Sequence, residues 1–189
     1  LRHLVDCMAA WKMNHLQLYV EHTVAYEGHE EVWRMASPLS LEEVVALDAY
    51  AAEHGVTLHA NQNCFGHFER WLKHPRYAVL AELPQGHLHR GVFYVPPNTL
   101  CPTDPGSIRL IEDLLSQLLP CCSGSYVNIG CDEPWDLGWG RSRDVCATKG
   151  RGRVFSEYVR QVAEIVRRWG KCPQFWCDPD PNEDANALG

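Results

Sequence analysis

The stretch Gly130-Cys131-Asp132-Glu133-Pro134-Trp135 puts two adjacent acids directly after the apolar run Tyr126-Val127-Asn128-Ile129. Side chains alternate at the end of a strand, so the two carboxylates diverge and can serve one site from two directions. Neighbouring carboxylates also raise each other's cost of ionisation, which tends to hold one protonated as a general acid. A plainer reading is a helix N-terminus whose acids match its dipole. Trp135 and Trp139 favour sugar binding, because flat indole faces stack on the apolar faces of sugars; aromatic core packing is their alternative.

Three further clusters accompany these acids. Asn61-Gln62-Asn63-Cys64-Phe65-Gly66-His67-Phe68-Glu69 follows a second apolar run, and its amides and imidazole suit substrate hydroxyls or the orientation of a catalytic acid. Glu21-His22 ends a first run, and Trp176 with Asp178 ends the last. Each could be a polar strand terminus and nothing more. Together, four successive strand ends that deliver acids, His, Asn or Trp point to one shared pocket. Ser123-Gly124-Ser125 precedes its strand and so is no nucleophile elbow. His87-Leu88-His89 lacks an H-E-x-x-H helix or a further ligand at metal spacing, and no metal is expected.

The elements that must position these clusters alternate. Leu4, Val5, Met8, Ala9 and Trp11 recur at helical spacing, Asn14 offers a stop, and a strand is predicted over 16–20. Ser40 and Glu43 form a capping box that opens a helix through about Glu53, and Gly55 precedes a strand over 56–60. Asp104-Pro105 opens a third helix that Pro120 ends before a strand over 126–130; a fourth helix over 154–169 stops at Gly170 before a strand over 174–177. Such alternation implies a parallel sheet with right-handed crossovers. Helix-to-strand links are short and strand-to-helix links are long, so the elaborated loops sit at the carboxyl ends of the strands, where a (β/α)8 barrel carries its active site. An open doubly wound sheet is the alternative, although no Gly-rich phosphate loop follows any strand.

Composition narrows the classes. The 189 residues are 46% hydrophobic and 22% charged, with 17 Lys+Arg against 24 Asp+Glu, as in an ordinary globular domain. No apolar run approaches the roughly 20 residues of a membrane-spanning helix, and no basic patch offers itself to nucleic acid. The nine cysteines contain no C-x-x-C pair and are odd in number; free thiols in a reducing, cytoplasmic compartment are expected, with a partly disulfide-bonded secreted protein as the alternative. The opening on Leu1-Arg2-His3 without Met, and a polar tail after Asp178, suggest a fragment.

His15-Leu16-Gln17-Leu18-Tyr19-Val20-Glu21-His22, then Asn61 to His67, then Leu80-Ala81-Glu82, and finally Asn128-Ile129-Gly130-Cys131-Asp132-Glu133 resemble the catalytic barrel of glycoside hydrolase family 20, the β-N-acetylhexosaminidases. The Phe-Gly-His and Gly-Cys-Asp-Glu forms look closest to the hexosaminidase D type. The resemblance covers nearly the whole chain. It implies that residues 1–189 are part of a (β/α)8 TIM barrel, about helix 1 through strand 5 in the family's numbering, truncated at both ends and inactive alone.

The resemblance also implies a mechanism in which the substrate's own 2-acetamido group is the nucleophile. Glu133 is then the general acid/base, and Asp132 orients the acetamido nitrogen and stabilises the positive charge that develops. His67 and Glu21 resemble a relay behind the general acid, and Trp176 a wall around the acetamido methyl. Asn63, Trp139 and Asp178 complete the expected substrate-binding set. The implied substrate is a terminal β-linked N-acetylglucosamine or N-acetylgalactosamine on an oligosaccharide or glycoconjugate, with no cofactor and neither nucleic acid nor membrane as partner. Two departures stand out: the family's first-strand Arg and its later-strand Tyr have no counterpart between Leu1 and Gly189. A non-catalytic carbohydrate binder, or another glycosidase on the same barrel, is the rival reading.

Overall fold

The computed structural model describes residues 1–89 and 91–176. Helix α1 (Arg2–Ala10) buries Val5 and Met8 and leads into strand β1 (His15–Gln17). A long loop carrying the short helix α2 (Glu30–Trp33) returns to α3 (Leu41–Glu53). There the Ser40 hydroxyl accepts the Glu43 amide at 3.1 Å and the Glu43 carboxylate accepts the Ser40 amide at 2.8 Å, the expected capping box. Strand β2 (Thr57–Asn61) follows.

The next loop holds α4 (Glu69–Leu72), α5 (Pro75–Ala78) and an antiparallel hairpin of β3 (His87–His89) and β4 (Phe93–Val95). Helix α6 (Pro105–Leu118) starts where Asp104 accepts the Gly106 amide at 2.7 Å, and Pro120 turns its end into a 3-10 helix before β5 (Tyr126–Asn128). Helices α7 (Arg143–Lys149) and α8 (Arg151–Arg168) then lead to β6 (Cys172–Gln174). Along α8 the buried Val154, Tyr158, Val159, Val162 and Val166 form one apolar stripe.

Strands β1, β2, β5 and β6 form one parallel sheet in chain order, with His15 opposite Thr57, Ala60 opposite Val127 and Tyr126 opposite Cys172. A doubly wound sheet reverses strand order at a switch point. No reversal occurs among the described strands, so that alternative is set aside. The sheet is also rolled. Neighbouring strands lie about 4.8 Å apart, so a flat sheet would hold β1 and β6 three such spacings apart. Yet Gln17 on β1 donates to Gln174 on β6 at 2.7 Å, and Asn128 on β5 donates to Gln17 at 3.3 Å. Side chains of the concave face therefore converge.

All four strands differ in their limits from the sequence prediction, β2 by a one-residue shift and β5 by ending at Asn128; the first and last differ most. The first stops pairing after Gln17 because the backbone beyond it serves a loop: Val20 O accepts the Asn63 amide at 2.8 Å. The last begins at Cys172, whose amide bonds Ser125 O at 2.7 Å, two residues before the predicted start. The predicted long loops carry their own core. Tyr26, Phe65, Phe68 and Trp71 are among the largest fully buried side chains, and all four lie in those loops. Trp71 Nε1 donates to Glu21 O at 2.9 Å and the Tyr26 hydroxyl to Gln62 at 2.7 Å. Loops packed in this way hold their residues as firmly as the strands do.

The described cysteines are free thiols. Burial pushes the Cys122 thiol up to about 12 and raises those of Cys64 and Cys131 well above the usual thiol value, which leaves them unreactive. Among the described residues no helix is long and apolar enough to cross a membrane.

Candidate active site

Three strand ends meet at one point. Beyond β1, Tyr19 and Glu21 point back to it; beyond β2 the chain supplies Asn63 and His67; beyond β5 it supplies Asp132 and Glu133. Two of these loops touch backbone to backbone. A Cβ on Gly66 would stand 2.3 Å from Asp132 O and 2.8 Å from Glu133 O, and a Cβ on Gly130 would stand 2.6 Å from the Asn63 amide carbon. Only glycine permits that approach. Gly66→Ala is therefore expected to destabilise the protein by about 1–3 kcal/mol through overpacking. The thermal midpoint measures this, and an unchanged midpoint would mean that the loops are not in contact.

The backbone here is strained as well. His67, Cys131 and Glu133 have φ of 59°, 68° and 50°, in the left-handed region, at a cost on the order of 1–3 kcal/mol each for residues other than glycine. Hydrogen bonds over-determine this backbone: between segments, Cys131 N donates to Asn63 Oδ1 at 3.2 Å and Trp176 N to Gly130 O at 2.9 Å, and within the loop Trp135 N donates to Glu133 O at 2.8 Å.

The side chains close a circuit. Asn63 Nδ2 donates to Asp132 Oδ1 at 2.7 Å and to the Tyr19 hydroxyl at 3.3 Å, and that hydroxyl donates to Glu21 Oε1 at 3.0 Å. His67 completes it, with Nδ1 3.6 Å from Glu21 Oε1 and Nε2 3.3 Å from Asp132 Oδ2. The same Nε2 is 3.4 Å from Glu133 Oε2. It is buried and hydrogen-bonded to neither carboxylate, the loose spacing common in sites without substrate. Burial, with the Glu21 carboxylate beside it, raises the Tyr19 pKa well above the usual phenol value, so this hydroxyl stays protonated as a donor. Burial likewise lowers the pKa of His22. Glu133 is the most open of the acids, its side chain 43% exposed against 21% for Asp132. The arrangement can hold one carboxylate fixed, leave a second facing solvent, and pass charge changes to an imidazole behind them.

The family model for the catalytic domain of glycosyl hydrolase family 20 matches residues 1–187. The chain belongs to that family. Human Hexosaminidase D is 29% identical over 171 residues, which is 87% of this chain and 33% of that protein; the Bos taurus Hexosaminidase D is 28% identical over 130 residues, or 68% and 35%. The chain thus spans about a third of the length of these curated relatives. Among solved structures, the Flavobacterium johnsoniae chitobiase superposes with a TM-score of 0.78 at 22% identity, over 93% of this chain and 28% of that one. A Streptomyces plicatus N-acetyl-β-hexosaminidase superposes at 0.69 and 19%, over 93% and 35%. These structural likenesses concern the fold.

Within this family 20 domain the structure brings together Glu21, His67, Asp132 and Glu133, and treats the other expected residues differently. Asn63, expected to bind substrate, is fully buried with its amide committed to Asp132 and Tyr19 and its carbonyl to backbone amides; it stands behind the carboxylate and has no free group to offer. Trp139 is exposed and lines a groove of whose lining the four clustered residues form no part. Trp176 is half-exposed at the rim, tied by its amide to Gly130. Asp178 lies outside the described residues.

Two contributors escaped the sequence reading. Tyr19 was visible as a strand residue inside the first family-like stretch, with no role of its own. Glu82, quoted solely for its likeness, is buried, and its carboxylate accepts the Ser142 hydroxyl at 2.6 Å and the amides of Ser142 and Gly140 at 3.0 and 3.2 Å. It straps the loop that follows Glu133 to the loop that follows β2. An acid inside the apolar tract Leu80-Ala81-Glu82-Leu83 was the available signal.

Proposed function

We propose that residues 1–189 form part of a (β/α)8 barrel, from about its first helix to its fifth strand, in a retaining β-N-acetylhexosaminidase. The enzyme removes terminal non-reducing β-linked N-acetylglucosamine or N-acetylgalactosamine from oligosaccharides or glycoconjugates. The rolling of the sheet and its chain-order strands support the barrel. The activity rests on family membership and on relatives named Hexosaminidase D and, in Vibrio furnissii, Beta-hexosaminidase.

The observation that carries the reading is the convergence of Asp132 and Glu133 on one His67 nitrogen. A double displacement through an enzyme nucleophile needs two carboxyl groups facing each other across the sugar, about 5–5.5 Å apart. Here the two acids are chain neighbours drawn to one imidazole nitrogen, at 3.3 and 3.4 Å, which suits a reaction whose nucleophile is the substrate's own acetamido oxygen. Glu133, the open carboxyl, protonates the leaving oxygen and later takes a proton from water. Asp132, fixed by Asn63, receives the acetamido N–H and faces the cationic ring that forms. His67, backed by Glu21 and Tyr19, positions both acids.

A panel of nitrophenyl glycosides with the full-length protein tests this. Hydrolysis is expected for the β-N-acetylglucosaminide and β-N-acetylgalactosaminide and not for the β-glucoside or β-galactoside. Equal rates on plain and N-acetyl sugars would reject substrate assistance, and sugar binding without turnover would assign the barrel to a binder.

A further inference from the structure

A buried charge persists only where its hydrogen bonds are made inside the protein, and those of Glu82 all go to one short segment. Its Oε1 accepts the Ser142 hydroxyl at 2.6 Å and the amides of Ser142 and Gly140 at 3.0 and 3.2 Å, and its Oε2 accepts the Ser142 amide at 3.1 Å. The backbone of Glu82 joins in, with O accepting the Arg141 amide at 2.9 Å. A Cβ on Gly140 would stand 1.8 Å from that oxygen, so only glycine fits there. A carboxylate, which accepts and does not donate, matches this ring of donors; a side-chain amide of the same size would set N–H against N–H.

The strapped segment is joined to Glu133 by a run of closed turns. Trp135 N bonds Glu133 O at 2.8 Å, Leu137 N bonds Pro134 O at 3.0 Å, Trp139 N bonds Asp136 O at 2.9 Å, and Gly138 N bonds the Ser142 hydroxyl at 3.2 Å. Such a run has little slack, so a shift at 140–142 carries to the turn that presents Glu133. On its other side Glu82 reaches the His67 loop. Its amide bonds Thr99 O at 2.9 Å, Leu100 N bonds Phe65 O at 3.0 Å, and Phe68 N bonds Asn98 O at 2.8 Å. Residues 98–100 thus grip the chain on both sides of His67. Asp132 is held separately, by Asn63 at 2.7 Å.

We propose that Glu82 is a positioning residue for the general acid: its carboxylate sets the Glu133 loop against the His67 loop, and so the place where Glu133 meets the departing oxygen. Glu82 is fully buried and acts without touching substrate. The inference rests on the β-N-acetylhexosaminidase reading and adds a division of labour within it, Asp132 being fixed at the strand ends and Glu133 by an acid from a different loop. Proton transfer requires hydrogen-bond reach, and a misplacement of about 1 Å can cost on the order of a hundredfold in rate.

The test uses the full-length enzyme and two substrates. The β-1,4-linked N-acetylglucosamine disaccharide has a leaving oxygen that must be protonated, whereas N-acetyl-β-glucosaminyl fluoride needs little help from an acid. Glu82→Gln is expected to lower the ratio of kcat/KM for disaccharide over fluoride at least about tenfold, through kcat, with KM for the disaccharide little changed. Ser142→Ala, which removes the 2.6 Å bond, should lower the ratio in the same direction by less. Both substrates are measured on one preparation, so any loss of folded protein cancels. Asp48→Ala, which removes the acceptor of the Ser123 amide and hydroxyl at the amino edge of the sheet, should lower the thermal midpoint and leave the ratio at its wild-type value. A ratio unchanged in Glu82→Gln, or in Ser142→Ala should Glu82→Gln fail to fold, overturns the positioning role alone. An equal fall in Asp48→Ala also overturns it, by tracing the effect to general destabilisation. Wild type inactive on both substrates overturns the hexosaminidase reading and the positioning role with it.

Discussion

Glu133→Gln in the complete enzyme is expected to slow hydrolysis of the N-acetylglucosamine disaccharide about a thousandfold, within the usual worth of a general acid, while the glycosyl fluoride loses far less. The reason is chemical. A sugar alkoxide leaves only if it is protonated as the bond breaks, and fluoride needs little help. The substitution keeps the shape of the side chain, and Glu133 lies at the open side of the cluster with its side chain 43% exposed, so the fold should tolerate it. KM for the disaccharide should stay within a few-fold of wild type. A variant that turned over the disaccharide at near-normal rates would remove Glu133 from the role of acid and leave the barrel reading intact.

Asp132→Asn is the second large effect, with kcat expected to fall about a hundredfold or more. Asp132 Oδ1 already accepts the Asn63 amide at 2.7 Å and Oδ2 faces His67 at 3.3 Å, so its carboxylate is fixed before substrate arrives. Preorganisation of that kind stabilises developing charge without reorganisation at the moment of reaction. An amide of the same shape cannot offer the negative charge, and it sets an N–H₂ against either the Asn63 amide or the imidazole. The expected signature is a lower kcat with KM little changed, together with weaker preference for N-acetyl sugars over plain ones. Loss of binding with kcat preserved would mean that Asp132 grips ground state and transition state equally.

Much of the cluster was legible because strand chemistry is regular. Acids and imidazoles placed directly after apolar runs can be assigned to one sheet edge from periodicity alone, and Glu21, His67, Asp132 and Glu133 do meet there. What escaped depends on contacts between distant residues. Asn63 could be placed at the edge, but whether its amide faces a sugar or Asp132 is decided by where residues 128–132 lie, and sequence spacing does not encode that. Tyr19 has the same dependence on Glu21 and Asn63. Strand limits slipped because the backbone leaves the ladder to bond neighbouring loops, as Val20 does with Asn63. Four-residue helices such as α2, α4 and α5 are too short to write a period into the chain.

The left-handed backbone at His67 and Glu133 has an evolutionary consequence. Glycine there would relieve strain, so under the proposed function selection for thermal endurance alone pulls against the two side chains assigned to the chemistry. A lineage that kept the barrel and stopped cleaving sugars would be free to drift to glycine or asparagine at both positions. Under the proposed function, His and Glu at both positions are therefore what a working catalyst should carry, and their loss what a retired one should show.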